Sequence, residues 1–182
     1  FENWPNRPSF IIDEADGNLD SLPTALGLGY DGSSHKNCKG IVKGITNAAT
    51  LAKLSETRDR PVHLTGEDLA NVGPIALLQD LAIIALLGIT HVERNGHHYF
   101  RGLSAWPKPI QEAILDHHHN LYNRHVDGYS TLRIENGKLN LSSINSAPFG
   151  LQPLINCEEL SEVDLSDDSA FLAIGLPAER AL

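Results

Sequence analysis

The alternation of short apolar runs with helical stretches constrains the fold of this chain more than any other feature. Four runs have the length and composition of β-strands: 9–12, 32–36, 61–65 and 90–93. Three stretches between them have helical character: 19–28, 40–54 and 74–87. Strands and helices that alternate at this spacing are typical of parallel βα units. The sequence therefore predicts an α/β fold with about four βα units, half the number in a (β/α)8 barrel.

The predicted helices differ in which faces they should bury. In the stretch 40–54, the residues that recur on one side are Ile41, Ile45, Ala48, Ala49 and Ala52. We expect that side to face the sheet. The stretch 74–87 is apolar nearly all round, which predicts a helix packed on two sides.

After Tyr122 the pattern changes. Lys108 to His118 is predicted to be a helix, and Asn136-Gly137 is a preferred two-residue hairpin turn. The flanking runs 129–134 and 138–141 therefore predict a β-hairpin, and 142–150 a polar loop. Three regions follow: a partial barrel over 1–125, the hairpin and a return segment over 126–157, and an extended acidic tail over 158–182.

Composition excludes some partners and suggests a compartment. The net charge is −9, which argues against nucleic acid because phosphate binding needs clustered Lys and Arg. The longest apolar stretch is interrupted by Gln79-Asp80 and is shorter than the ~20 residues that span a bilayer, so no membrane partner is expected. Two widely separated cysteines, Cys38 and Cys157, do not predict a disulfide framework, which favours the cytoplasm. The lack of any methionine hints at a fragment or a processed chain.

Charged residues follow each predicted strand. These groups are Asp13-Glu14, Lys36 with Lys39, Glu67-Asp68, and Glu93. Active sites of parallel barrels are built at the carboxyl ends of the strands, so we expect these side chains to share one face. Carboxylate oxygens suit Mg²⁺, and a lysine beside a divalent cation has a lowered pKa that makes it a usable base. The combination predicts abstraction of a proton next to a carboxylate.

Two of these motifs resemble a known superfamily. Asp13-Glu14 after an apolar strand is similar to the fifth-strand Asp-Glu of muconate-lactonizing and mandelate-racemase-like members of the enolase superfamily. The segment Lys36 to Gly40 resembles their sixth-strand Lys-x-x-Lys-x-Gly pattern, although Asn37-Cys38 replaces the usual apolar pair. The resemblance covers residues 8 to about 150. It implies the carboxy-terminal half of an enolase-type (β/α) barrel, without strands one to four, two metal ligands and the lid domain.

The resemblance also implies roles. Asp13, with Glu14, would be a Mg²⁺ ligand, and Lys36 the acid/base residue. Lys39 would be a supporting charge, Glu67-Asp68 would lie in the seventh-strand loop, and Glu93 in the eighth-strand loop, all counted as catalytic candidates. The implied enzyme is a lyase or isomerase of the racemase, dehydratase or cycloisomerase type. Its substrate would be a small carboxylate, and a homo-oligomer would be compatible with it.

Other interpretations remain open. Asp13-Glu14 and Glu67-Asp68 could each begin a helix, and Lys36 with Lys39 could be a solvated turn. The consecutive His117, His118 and His119 point in different directions on a helix, which does not fit a zinc site. The whole chain could be a non-catalytic barrel fragment that packs against a partner. An open flavodoxin-like domain would need a phosphate-binding glycine loop after the first strand, and residues 13–17 lack one.

Overall fold

A computed structural model describes residues 4, 6–67, 73–93, 100–152, 155, 156, 158 and 160. Over these residues the protein is a mixed α/β structure with a three-stranded parallel sheet and a separate antiparallel strand pair. It divides into two compact units. The first lies within Phe1–Asp68 and Ile83–Glu93, and the second within Leu69–Ala82 and Arg94–Leu182.

The first unit alternates strands and helices as predicted. Its elements, in chain order, are α1 (Ser21–Gly27), β1 (Gly32–His35), a 3-10 turn (Asn37–Lys39), α2 (Ile41–Ser55), β2 (His63–Glu67), the end of α3 (Ile75–Leu86) and β3 (Val92–Glu93). Each strand pairs in parallel with the next one along the chain. Ile12 adds a single parallel bridge to Ser33, where the sequence predicts a full strand. The neighbouring strands therefore follow chain order, with one helix between each pair.

Close approach of two strands explains a glycine at the start of β1. Gly32 is in register with His63 of β2. A Cβ atom at position 32 would lie 1.8 Å from the main-chain oxygen of His63, a distance that no side chain could tolerate. The close approach of the two main chains therefore requires glycine at position 32.

The predicted buried face of α2 is wrong. Its buried residues are Lys43, Gly44, Asn47 and Leu51. Ile45, Ala49 and Ala52 are exposed. The side of the sheet that α2 covers presents polar groups, so the helix turns its polar side inward. Gly44 fits there because a Cβ would lie 2.5 Å from the buried ring of His35.

The apolar helix α3 is confirmed. Its buried residues are Leu77, Leu78, Asp80, Leu81, Ile83 and Ile84, which lie on several sides of the helix. Residues 83–86 belong to the first unit and 75–82 to the second. Gly88 follows in a left-handed conformation (φ 67°), which suits a glycine that ends a helix.

The second unit has an apolar core. Its further elements are α4 (Lys108–His117), β4 (Tyr122–Arg124), β5 (Ser130–Leu132), α5 (Ser142–Ser146) and a 3-10 turn (Pro148–Gly150). Among its buried side chains are Leu103, Ile110, Ile114, Leu121, Tyr122, Leu132 and Ile144. No helix in the described part of the chain is both long and apolar enough to cross a membrane.

The predicted hairpin forms with a different partner strand. Asn136-Gly137 does make a tight turn with positive φ angles, but it closes only one bridge, between Glu135 and Lys138. Strand β5 pairs instead with β4, through Tyr122 and Leu132. Both of these side chains are buried, whereas the run 138–141 has no buried position to hold a strand. The predicted loop 142–150 is mostly helical, since Ile144 anchors α5 in the core.

Candidate functional site

Three carboxylates contact one lysine at the ends of neighbouring parallel strands. Lys36 directly follows β1, Asp13 and Glu14 follow the bridge at Ile12, and Glu67 ends β2. Lys36 Nζ lies 2.7 Å from Glu67 Oε2, 3.0 Å from Asp13 Oδ2 and 3.3 Å from Glu14 Oε1. The parallel register brings these residues together, because it aligns the carboxyl ends of the strands along one edge of the sheet.

Lys36 is buried and protonated in this arrangement. Only 5% of the residue is exposed. Burial alone would lower its pKa, but hydrogen bonds to Glu67, Asp13 and Glu14 outweigh that effect and raise the pKa above its ordinary value. The ammonium is therefore a stable counter-charge for the three carboxylates.

Lys39 holds the other side of Asp13. Its Nζ lies 2.6 Å from Asp13 Oδ1, and it donates to the main-chain oxygens of Asp13 and Ser34 at 2.8 and 3.0 Å. Burial works against ionisation of Asp13, yet the hydrogen bonds from Lys39 and Lys36 prevail and lower its pKa from 3.8 to about 2. Asp13 is thus an ionised carboxylate with a lysine on each oxygen.

The two lysines differ in how exchangeable their partners are. An ammonium has three N–H donors, and each of these lysines has three acceptors. Two acceptors of Lys39 are main-chain carbonyls, which stay in place as long as the loop does. All three acceptors of Lys36 are carboxylates, and the Glu14 side chain is 84% exposed. Lys36 can therefore exchange a carboxylate partner for an incoming anion, whereas Lys39 keeps its contacts with Asp13 and the main chain.

A second polar cluster lies beneath the loop that carries Asp13 and Glu14. Asp16 is 2% exposed. Its Oδ1 is 2.8 Å from Lys43 Nζ, and its Oδ2 accepts hydrogen bonds from Ser33 Oγ at 2.7 Å and from Asn47 Nδ2 at 2.9 Å. Lys43 also donates to the main-chain oxygen of Asp16. These contacts fasten the loop to β1 and α2.

The carboxylates fit a divalent cation in part. Asp13, Glu14 and Glu67 offer the hard oxygen atoms that Mg²⁺ prefers. In the part of the chain that is described, however, no group of three or more His, Cys, Asp or Glu side chains comes together as a complete metal site. The three carboxylates surround the Lys36 ammonium instead. Asp13 could contribute to a Mg²⁺ site, but these residues alone do not form one.

Most of the predicted site residues converge. Asp13, Glu14, Lys36, Lys39 and Glu67 form one cluster. Asp13 and Glu14 do not begin a helix, because α1 begins only at Ser21. Lys36 and Lys39 are not in a solvated turn, because both side chains are largely buried.

The remaining candidates lie elsewhere or beyond the described residues. Glu93 is exposed on β3, in register with Glu67, and is not among the partners of Lys36. Asp68 lies outside the described residues. His117 and His119 are exposed and contact main-chain oxygens, whereas His118 is buried.

Sequence reasoning missed the cluster around Asp16. The spacing of Lys39, Lys43 and Asn47, four residues apart, places polar groups on one side of α2 and its preceding turn. That signal competes with the apolar residues on the other side, which a helix of a globular protein usually buries.

A third charged cluster, around Asp31, was also missed. Asp31 is fully buried just before β1, and Arg7, Arg58 and Arg60 surround it. Burial opposes its ionisation, but hydrogen bonds from Arg7 and Arg60 and from the Phe10 amide lower its pKa well below the ordinary value. Asp31 directly precedes β1, so it lies at the opposite end of that strand from Lys36.

Comparison with known proteins assigns no family. The chain has no match among protein-family models, curated proteins or solved structures. Any assignment of function therefore depends on the geometry of the site.

Proposed function

We propose that this chain forms the carboxy-terminal half of an enolase-superfamily barrel that abstracts a proton next to a substrate carboxylate with the help of Mg²⁺. The observation that carries the proposal is the contact of Lys36 with Asp13, 3.0 Å apart at the ends of neighbouring strands. A buried lysine beside strand-end carboxylates is the constellation that the resemblance requires. The reaction would be of the racemase, dehydratase or cycloisomerase type.

The order of the strands supports a barrel. In a doubly wound open sheet, the strand order reverses at a switch point. Here Ile12, β1, β2 and β3 are neighbours in chain order, and all pairings are parallel. Sequential parallel neighbours are what successive units of a (β/α) barrel produce. This favours the barrel over the flavodoxin-like alternative.

Lys36 would hold and move the proton. With three anionic neighbours it is an ammonium that holds its proton firmly, because those neighbours raise its pKa. If one carboxylate turned away from Nζ, the pKa of Lys36 would fall toward the range in which the amine can act as a base. Glu14 is the partner most easily displaced, because its side chain is largely exposed. A substrate that displaced Glu14 and left Lys36 Nζ with two carboxylate partners would lower the pKa of Lys36 in this way.

The other residues would prepare the site. Lys39 fixes Asp13 from the side opposite Lys36, and Glu67 orients the Lys36 ammonium from the next strand. Asp13 would be a ligand of Mg²⁺, with further ligands from strands outside this sequence. The metal, when bound, would supply positive charge that stabilises an enediolate.

The test is exchange of the substrate α-hydrogen with solvent deuterium. Full-length protein with Mg²⁺ would be incubated in D₂O with a panel of α-hydroxy carboxylates and followed by NMR. We expect Lys36→Met to reduce exchange by about 10²-fold or more, the range that general acid–base groups contribute. Lys53→Met is the matched control, because Lys53 is exposed and pairs only with Glu56 on the surface. Equal exchange by Lys36→Met and wild-type protein would refute the assignment.

A non-catalytic barrel fragment is the second candidate. The specific observation in its favour is that all three donors of Lys36 are satisfied within the protein, as in a purely structural ion-pair network. Calorimetric titration with Mg²⁺ separates the two candidates. Micromolar binding that Asp13→Asn abolishes would argue against the inert fragment, and the absence of binding would favour it.

A further inference from the structure

We infer that Asp16 is a positioning residue that holds the loop 13–16 so that Asp13 faces Lys36 and Lys39. Asp16 itself contacts neither lysine of the site; it acts through Asp13. The inference rests on the proposed function for its catalytic meaning, but the positioning itself can be measured without any reaction.

The first observation is that three buried side chains of β1 and α2 hold Asp16. Its Oδ2 accepts hydrogen bonds from Ser33 and Asn47, and its main-chain oxygen accepts one from Lys43. Its Oδ1 lies 2.8 Å from Lys43 Nζ as an ion pair, without a hydrogen bond. Ser33 is fully buried, and Lys43 and Asn47 are buried as well. These partners come from a strand and a long helix, which are the rigid elements of this unit. The carboxyl end of the loop is therefore fixed to a rigid base.

The second observation is a direct link between Asp16 and Asp13. The Asp16 amide donates to the main-chain oxygen of Asp13 at 2.8 Å. Lys39 Nζ donates to the same oxygen, also at 2.8 Å. Because that oxygen is held by both groups, the orientation of the Asp13 residue depends on where Asp16 is fixed.

The third observation is the energetic cost of this arrangement. Replacing a buried ion pair by well-packed apolar residues is often neutral or stabilising. The chain has apolar residues available on α2, such as Ile45, but it exposes them and buries Lys43 and Asn47 instead. Stability alone does not account for that choice. A demand for one fixed loop geometry does, since hydrogen bonds define their partners by direction as well as distance.

The variant that tests this is Asp16→Asn. It keeps the size of the side chain but removes the charge that Lys43 pairs with. We expect the loop to open more often and Asp13 to spend less time between Lys36 and Lys39. Asp20→Asn is the matched control, because Asp20 is an exposed carboxylate in the same segment of the chain.

The readout is amide hydrogen exchange at two positions of the full-length protein. The Asp16 position reports on the loop. The Ser34 amide, which bonds to the Ile12 oxygen, reports on the sheet. We expect Asp16→Asn to reduce protection at position 16 by more than about tenfold while protection at Ser34 changes much less. Unchanged protection at position 16, or an equal loss at both positions, would overturn the inference.

A milder variant keeps the test decisive if Asp16→Asn does not fold. Ser33→Ala removes one hydrogen bond to Asp16 and leaves its pairing with Lys43 intact. We expect a smaller loss of protection at position 16, about two- to tenfold, again confined to the loop. No selective loss in this variant would contradict the positioning role.

Catalysis then separates this inference from the proposed function. Where wild-type protein exchanges a substrate α-hydrogen, Asp16→Asn should lower kcat more than it changes KM, because it disturbs the reacting groups and not the binding of the substrate's remote parts. Equal effects on kcat and KM would count against positioning. If wild-type protein exchanges no α-hydrogen, the proposed function fails, and hydrogen exchange still judges the role of Asp16.

Discussion

The two compact units differ in what they bury. Besides an apolar core, the first unit buries a set of charged and polar side chains: Arg7, Asp16, Asp31, Ser33, Ser34, His35, Lys36, Lys43 and Asn47. Among its described residues, the second buries mainly aliphatic side chains, with four polar ones: Asp80, Gln111, His118 and Ser130. Buried charge is costly and needs specific partners, whereas apolar burial is favourable in itself.

The candidate site lies among the buried charges of the first unit. Every cation–carboxylate contact of the candidate site lies in the first unit, at the carboxyl ends of its strands. The second unit supplies what a domain needs for stability, a close-packed core around α4. A substitution that breaks a contact in the first unit should therefore lower the free energy of unfolding by leaving a buried charge unpaired. A substitution in the second unit should lower it by leaving a cavity.

The largest effect is expected in the first unit, from Asp31→Ala. This change removes the Asp31 carboxylate that pairs with Arg7, which is itself buried. We expect the free energy of unfolding to fall by about 3–5 kcal/mol, the cost of breaking a buried pair from one side. Urea denaturation gives the value. A loss below about 1 kcal/mol, as for an exposed pair, would contradict the view that charge holds this unit together.

The next effect is expected in the second unit, from Ile114→Ala. Ile114 is fully buried on α4. Removing its methyl and methylene groups should cost about 2–5 kcal/mol, and the milder Ile114→Val about 0.5–1.5 kcal/mol. Thermal or urea denaturation measures both. If the unit were loosely packed, Ile114→Ala would not lower the free energy of unfolding more than Ile114→Val does.

A smaller, local effect is expected from acid in the second unit. The Gln152 amide donates to His118 Nε2, and His118 Nδ1 contacts Ser143 Oγ, so the ring is neutral. Burial lowers the pKa of His118 below 6.5, and the neighbouring His117 adds to this. The folded state therefore binds the proton less readily than the unfolded state. The stabilising contribution is complete above pH 6.5 and is lost as the pH falls through the lowered value.

Hydrogen exchange at Gln152 measures this effect. Its protection, corrected for intrinsic exchange, should decline as the pH is lowered below 6.5. In His118→Gln, which cannot be protonated in this range, the decline should disappear. The same pH dependence in both proteins would show that His118 is not responsible.

The secondary structure was largely predictable because the local signals agree. The apolar stretch 74–87 predicted α3, which the structure places at Ile75–Leu86. The predicted helix from Lys108 to His118 matches α4, which ends one residue earlier, at His117. The site residues at the strand ends were predictable for a related reason, since parallel strands align their carboxyl ends. Strand β2 spans His63–Glu67 instead of the predicted 61–65, so Glu67 lies in the strand itself.

What could not be predicted depends on contacts far apart in sequence. Asn136-Gly137 specifies a turn, but it does not specify that β5 pairs with Tyr122. Likewise, the buried side of α2 is decided by Ser33 and His35 on β1 and by Asp16 in the preceding loop, which invert the usual preference for apolar burial. Neither the pairing of β5 with β4 nor the buried side of α2 can be inferred from residues close together in sequence.

The most direct measurement of the central claim is NMR detection of lysine side-chain ammonium groups at neutral pH. If Lys36 and Lys39 are held as described, their ammonium protons exchange slowly with water and are visible, whereas those of exposed Lys53 are not. Asp13→Asn should then weaken both protected signals. An ammonium of Lys36 that exchanges as fast as that of Lys53 would show that no buried lysine–carboxylate centre exists at the ends of these strands.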